Sequence, residues 1–126
     1  MEEKGKMKKV YFAHGLCYYF TDAEYRFGDS ESAWNFPAIL ENGKWRIVGA
    51  YEWKQDGPHA WTRERPDVIE RVQKMVDEWQ KGKRFCSLDF DPKSPEFYMA
   101  LFLQKGPRSI AVALADVIFG VRGPEP

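Results

Sequence analysis

Asn42-Gly43, set between FPAILE and KWRIVGAYEWK, constrains the fold more than any other feature of the chain. Both residues accept the positive φ of a type I′ turn, so the alternating runs on either side fold back as a two-residue hairpin. The turn sets the register of residues 36–54. Glu41 opposes Lys44, Leu40 opposes Trp45, Ala38 opposes Ile47 and Phe36 opposes Gly49. Strict alternation then predicts one face carrying Phe36, Ala38, Leu40, Trp45, Ile47, Tyr51 and Trp53, and another carrying Lys44, Arg46, Glu52 and Lys54. Gly49 weakens a strand interior. Its place across from Phe36 predicts a ring laid over the bare glycine, close approach of a ligand being the alternative.

Residues 66–81 read as a helix. Val68, Ile69, Val72, Met75, Val76 and Trp79 form one stripe at 3.6-residue spacing. Pro66 suits the first helical position, Asp67 the positive end of the dipole and Gly82 a left-handed cap. Asp67–Arg71, Glu70–Lys74 and Asp77–Lys81 have the spacing of i,i+4 ion pairs. The stripe is expected to pack on the Trp45, Ile47, Tyr51 and Trp53 side of the hairpin. The fold class is therefore α+β: a single domain with a twisted, mostly antiparallel sheet and one main amphipathic helix on one face.

The rest of the chain is read more coarsely. Val10, Phe12 and His14 alternate with Tyr11 and Ala13, and Gly15 either separates this run from residues 16–20 or marks a bulge. Residues 21–24 have capping-box spacing, which predicts a short helical turn, and 28–35 read as a loop. Residues 84–91 alternate as a strand, with Cys86, Leu88 and Phe90 inward and Ser87, Asp89 and Asp91 outward. Residues 95–105 fit a helix starting at Ser94-Pro95-Glu96 or a strand, and 110–121 are β-branched and read as a strand. Residues 1–7 and 122–126 read as frayed tails, with Met7 a candidate natural start.

At 126 residues the chain can bury roughly two thirds of its unfolded surface in one core. Lys plus Arg and Asp plus Glu both total 19, which gives no bulk attraction for nucleic acid or an anionic membrane. Apolar runs fall short of a membrane span, and the N-terminus has no apolar signal region. Two cysteines, Cys17 and Cys86, make no disulfide framework and fit a reducing cytoplasm. Five Trp, six Tyr and nine Phe stand out; most fill a core, and some are free to line a binding surface.

No phosphate loop, GxGxxG, GxSxG, HExxH or paired CxxC is present, and no cofactor is implied. His14, Cys17, His59 and Cys86 lack a recognised zinc spacing, so a satisfied core histidine and buried thiols outweigh a metal or thiolate site. Asp89 and Asp91, with Ser87 beside them, could line one strand face for a cation, yet a solvated face ending at the Asp91-Pro92 turn is the preferred reading. The segment 54–65 (KQDGPHAWTRER) reads as a long loop between strand and helix and holds His59, Trp61, Arg63 and Arg65. Long loops in compact domains often carry function, and Trp and Arg dominate interface hot spots. These four residues are the candidate site. They point to a small cytoplasmic, non-catalytic binding module that occludes or regulates a protein partner, as inhibitors and immunity proteins do. The alternatives are a binder of a small planar or phosphorylated ligand, and an enzyme using His14/Cys17 or Asp89/Asp91.

Overall fold

The Asn42-Gly43 turn forms as expected, with φ of 54° at Asn42 and 77° at Gly43. In the computed structural model, residues 9–11, 18–20, 23–28, 32–56 and 59–109 are described, with backbone alone for 9–11, 18–20, 55, 56 and 59–62. In chain order the strands are β1 Lys9–Tyr11, β2 Tyr18–Phe20, β3 Tyr25–Phe27, β4 Trp34–Glu41, β5 Lys44–Ile47, β6 Tyr51–Asp56 and β7 His59–Glu64. A 3-10 turn, Pro66–Val68, leads into α1 Ile69–Gln80; a second, Ser87–Asp89, precedes α2 Pro95–Lys105 and β8 Arg108–Ser109. β1 and β2 pair with each other, β2 lying near β7, and the other strands form a six-stranded antiparallel sheet ordered β7-β6-β4-β3-β8, with β5 also beside β4.

Glu41↔Lys44, Leu40↔Trp45 and Ala38↔Ile47 pair as the turn dictates. Further on, the register slips. Asn35 pairs with Tyr51 and Trp34 with Glu52, so one extra residue is taken up between Ile47 and Tyr51. Val48 N–H still reaches the Pro37 carbonyl at 2.8 Å, which leaves Gly49 and Ala50 together opposite Phe36. This is a β-bulge, and a single added residue exchanges the faces of everything beyond it. Tyr51 and Trp53 therefore leave the face of Trp45 and Ile47 and join Asn35, while Glu52 moves to the side of Trp34. The expected seven-residue apolar face is corrected on this point. The ring over Gly49 also differs from expectation: a Cβ there would stand 2.8 Å from Tyr51 Cε2 and 3.4 Å from Pro37 Cγ, so Tyr51 and Pro37, not Phe36, require the glycine.

The first face is the main core. Phe27, Trp34, Phe36, Ala38, Ile47 and Ala50 meet Val68, Val72, Met75 and Val76 of the helical stripe, and Met99, Ala100, Phe102 and Leu103 of α2. Each aliphatic side chain so buried contributes about 1.5–3 kcal/mol. Trp45 and Trp79 close the edge of this core, each edge-on to Phe27 at 6.0 and 6.1 Å. The second face is buried as well: Arg26, Asn35, Pro37, Ile39 and Tyr51 are shielded, and Arg26 donates to Asn35 Oδ1 at 3.3 Å.

Helix α1 does more than cover the sheet. The outward backbone groups of β5 have no neighbouring strand among the described residues, and two glutamines of α1 supply what a strand would. Gln73 accepts the Ile47 N–H at 2.7 Å and donates to the Trp45 carbonyl at 3.0 Å. Gln80, two helical turns on, accepts the Trp45 N–H at 3.0 Å and donates to the Gly43 carbonyl at 3.3 Å. Unpaired edge groups invite strand addition, and here the helix closes them. The i,i+4 ion pairs expected along α1 give way to other partners, one of them on α2. Arg71 binds Glu96 of α2 through two bonds of 2.7 Å, Asp67 binds Arg65, and Asp77 accepts from Gln73 at 2.9 Å. Two-point Arg–carboxylate geometry outcompetes a single exposed contact.

Further expectations change, and the open choice at 95–105 is settled. Tyr25–Phe27 is a strand paired with β4, not a helical turn, and β4 begins at Trp34, inside the expected loop. Residues 84–91 are not a strand: none of the described strands pairs with them, and Asp89 N–H and Phe90 N–H close a tight turn on the Cys86 and Ser87 carbonyls. Their facing changes in part: Ser87 is buried and Cys86 and Leu88 are exposed, while Phe90 packs against the core and Asp89 and Asp91 are exposed as expected. Residues 95–105 are helical, because Ser94 caps the Phe97 N–H at 3.1 Å and Gly106, at φ 83°, stops the helix. The segment 54–65 is no loop. It forms β6 and β7, paired from Tyr51↔Glu64 to Asp56↔His59, and Asp56-Gly57 is itself a hairpin dipeptide. The expectations for residues 1–7, His14, Cys17 and 110–126 lie outside the described residues, and no described helix is long and apolar enough to cross a membrane.

Candidate functional site

Once 54–65 is a ribbon, the candidate residues take defined places along it. His59, Trp61 and Arg63 alternate along β7 opposite Asp56, Lys54 and Glu52, so they share one face of the strand by position. Strand β6 meets β4 only through Trp34↔Glu52 and Asn35↔Tyr51. Beyond Trp53, whose N–H bonds the Ala33 carbonyl at 2.7 Å, β6 and β7 pair only with each other among the described strands of their sheet. The side chains of His59 and Trp61 fall among the residues described by backbone alone. Arg63 is exposed and has no ion-pair partner among the described residues.

Arg65 has a different place. Its Nε and one terminal nitrogen donate to the two oxygens of Asp67 at 3.0 and 2.9 Å, and the other terminal nitrogen donates to Glu52 Oε1 at 3.0 Å. The guanidinium lies 5.5 Å from the centre of the Trp34 ring, and the Arg65 N–H bonds the Ala50 carbonyl at 2.8 Å. The hydrogen bond to Asp67 raises the Arg65 pKa further, with Glu52 adding to it against the cost of burial. Reciprocally, the same bond holds the Asp67 carboxyl below its ordinary range. Lys54 Nζ lies 3.6 Å from the second Glu52 oxygen. Arg65 thus ties the base of the ribbon to the start of the helix, with its donors spent on carboxylates.

On the other face, burial and then the Glu64 carboxylate directly across the ribbon push the Tyr51 phenol up to about 12. Glu52 and Trp34, which complete the Arg65 clamp, were not among the residues singled out from the sequence. The bulge brings them to one side, and only a register that allows for it would have paired them.

The other constellations come apart or fall outside view. His14 and Cys17 lie outside the described residues, Cys86 is exposed, and no group of three or more His, Cys, Asp or Glu able to hold a metal occurs among the described residues. Asp89 sits in the 3-10 turn, and Asp91 accepts the Lys93 N–H at 2.9 Å, so the two do not line a strand face. A recess of about 200 Å³ below the end of α2, between Gly28, Ser32, Phe102, Lys105 and Arg108, contains none of the candidate residues. No protein-family model, curated protein or solved structure matches the chain.

Proposed function

We propose that this chain is a small cytoplasmic binding module without catalysis, which occludes or regulates a protein partner through the outer part of the β6–β7 ribbon. One observation carries the reading: β7 aligns His59, Trp61 and Arg63 at alternating positions on a ribbon that, past Trp53, pairs with no other strand of its sheet. An anchored base with contact residues beyond it suits recognition, because a pre-organised arm loses little conformational freedom on binding. In this reading Arg65 is the anchor, and His59, Trp61 and Arg63 make the contact. In the competing reading Arg63 or Arg65 meets a planar or phosphorylated ligand, and Arg65 would have to give up two carboxylates first.

The test compares immobilised wild-type chain with a Trp61→Ala/Arg63→Glu double variant in extract from the source cells. Wild type is expected to retain a stoichiometric partner that the variant loses, with equal melting temperatures for both. Identical recovery by the two chains, or no specific partner, overturns the proposal. A thermal shift of wild type with a nucleotide panel, absent in the double variant, would transfer the case to the small-ligand reading; saturation at 100 times Kd adds about 2.7 kcal/mol.

A further inference from the structure

The recess of about 200 Å³ below the end of α2 is lined by two cations and no acid. Gly106, at φ 83°, stops the helix, and Pro107 leads the chain into β8, so Lys105 and Arg108 reach the recess from successive elements. Both are exposed, and neither has an ion-pair partner among the described residues. Lys105 alone is accounted for by the negative end of the helix dipole. Arg108 is not. It lies past the helix, directly across from Arg26 on β3, and like charges in such opposed positions repel. Positive potential is thus concentrated beside a recess that already holds Lys105. The floor is apolar: Leu101 is half-buried, and Phe102 is buried with its ring 6.1 Å from that of Phe36 in the core. Ser32 and Gln104 add neutral polar groups to the wall.

We infer that this recess binds a small phosphomonoester. Volume sets the size of the ligand: sites for drug-sized molecules begin at about 300 Å³, so this one takes a compact molecule. Charge sets its class. A phosphomonoester carries roughly −1.5 to −2 at neutral pH, which two cations match, whereas a carboxylate brings a single charge. Arg108 suits two-point contact with phosphate oxygens, and Lys105 adds a mobile point charge. The organic group of the ester then rests on Leu101 and Phe102. The site is separate from the β6–β7 ribbon and uses none of His59, Trp61, Arg63 or Arg65.

The test is titration of the isotope-labelled full chain with phenyl phosphate, followed by amide chemical shifts. Saturable shifts are expected at Ser32 and at residues 104–109, with a Kd of about 1 mM, as befits so small a ligand. Inorganic phosphate lacks the apolar group and benzoate the second charge, and each is expected to bind about tenfold more weakly. Lys105→Gln and Arg108→Gln each weaken phenyl phosphate about tenfold, the effect of one charge-assisted hydrogen bond, at unchanged melting temperature. Lys81→Gln, at the end of the other helix and outside the recess, leaves the affinity unchanged. So does Trp61→Ala/Arg63→Glu, which separates this site from the ribbon. Shifts that fail to saturate by about 20 mM, shifts of equal size around Lys44 and Lys81, unchanged affinity in both glutamine variants of the recess, or benzoate bound as tightly as phenyl phosphate overturns the inference.

Discussion

At the scale of single residues, Tyr51 and Gly49 depend on one another. The space that a Cβ at Gly49 would occupy, 2.8 Å from Tyr51 Cε2, is what admits the ring to the second face. Burial there, followed by the Glu64 carboxylate, disfavours the phenolate and raises the folded pKa to about 12 from the ordinary 10.0. The sign follows from proton linkage. Above pH 10 the unfolded chain releases the Tyr51 proton while the folded chain keeps it, so stability falls as pH rises. Wild type is expected to lose denaturant stability relative to Tyr51→Phe between about pH 10 and pH 12, and to keep a constant difference below pH 9. Parallel urea titrations across that range check it, and curves that stay parallel throughout would show that the phenol is not held neutral. Arg65 has the opposite character: an exposed-looking cation in the sequence, it is braced by Glu52, Asp67 and the Trp34 ring.

At the scale of elements, local signals were legible and pairing was not. The β4–β5 hairpin and the Val68-to-Trp79 stripe announce themselves because turn chemistry and 3.6-residue spacing act within a few residues of chain. The alternation of residues 84–91 misled, since a strand needs a partner and none of the described strands lies beside this segment. The reading of 54–65 as loop missed Asp56-Gly57, and so found the candidate residues without the ribbon that arranges them. Nothing in the sequence signalled Gln73 and Gln80 as substitutes for a strand, because polar residues on an amphipathic helix normally face water. Gln73→Glu tests this role: a carboxylate can still accept the Ile47 N–H but cannot donate to the Trp45 carbonyl, so about 1–2 kcal/mol of stability is expected to be lost. Hydrogen exchange should quicken at the Ile47 amide in Gln73→Ala and at the Trp45 amide in Gln80→Ala, each of which removes the acceptor of that N–H. Unchanged protection at both amides would assign the edge to some other group.

For the whole molecule, the bulge at Gly49-Ala50 decides which side of the ribbon faces which layer. It puts Glu52 where Arg65 can reach it, and from there an alternating line of charge runs through Asp67 towards the Arg71–Glu96 clasp between the two helices. Deleting Gly49 would return Tyr51 and Trp53 to the helical side and break the Arg65 clamp. The expected cost is about 3 kcal/mol or more, that of displacing a buried ring, measured by urea unfolding. A deletion that leaves stability unchanged would mean the bulge does not control the facing. Because each residue added or removed between Ile47 and Tyr51 reverses the outward side of all that follows, this stretch obeys a parity rule. Insertions or losses there keep the arm pointing the same way only when they come in twos, so gain or loss of a single codon in this stretch would reverse the arm's contact side.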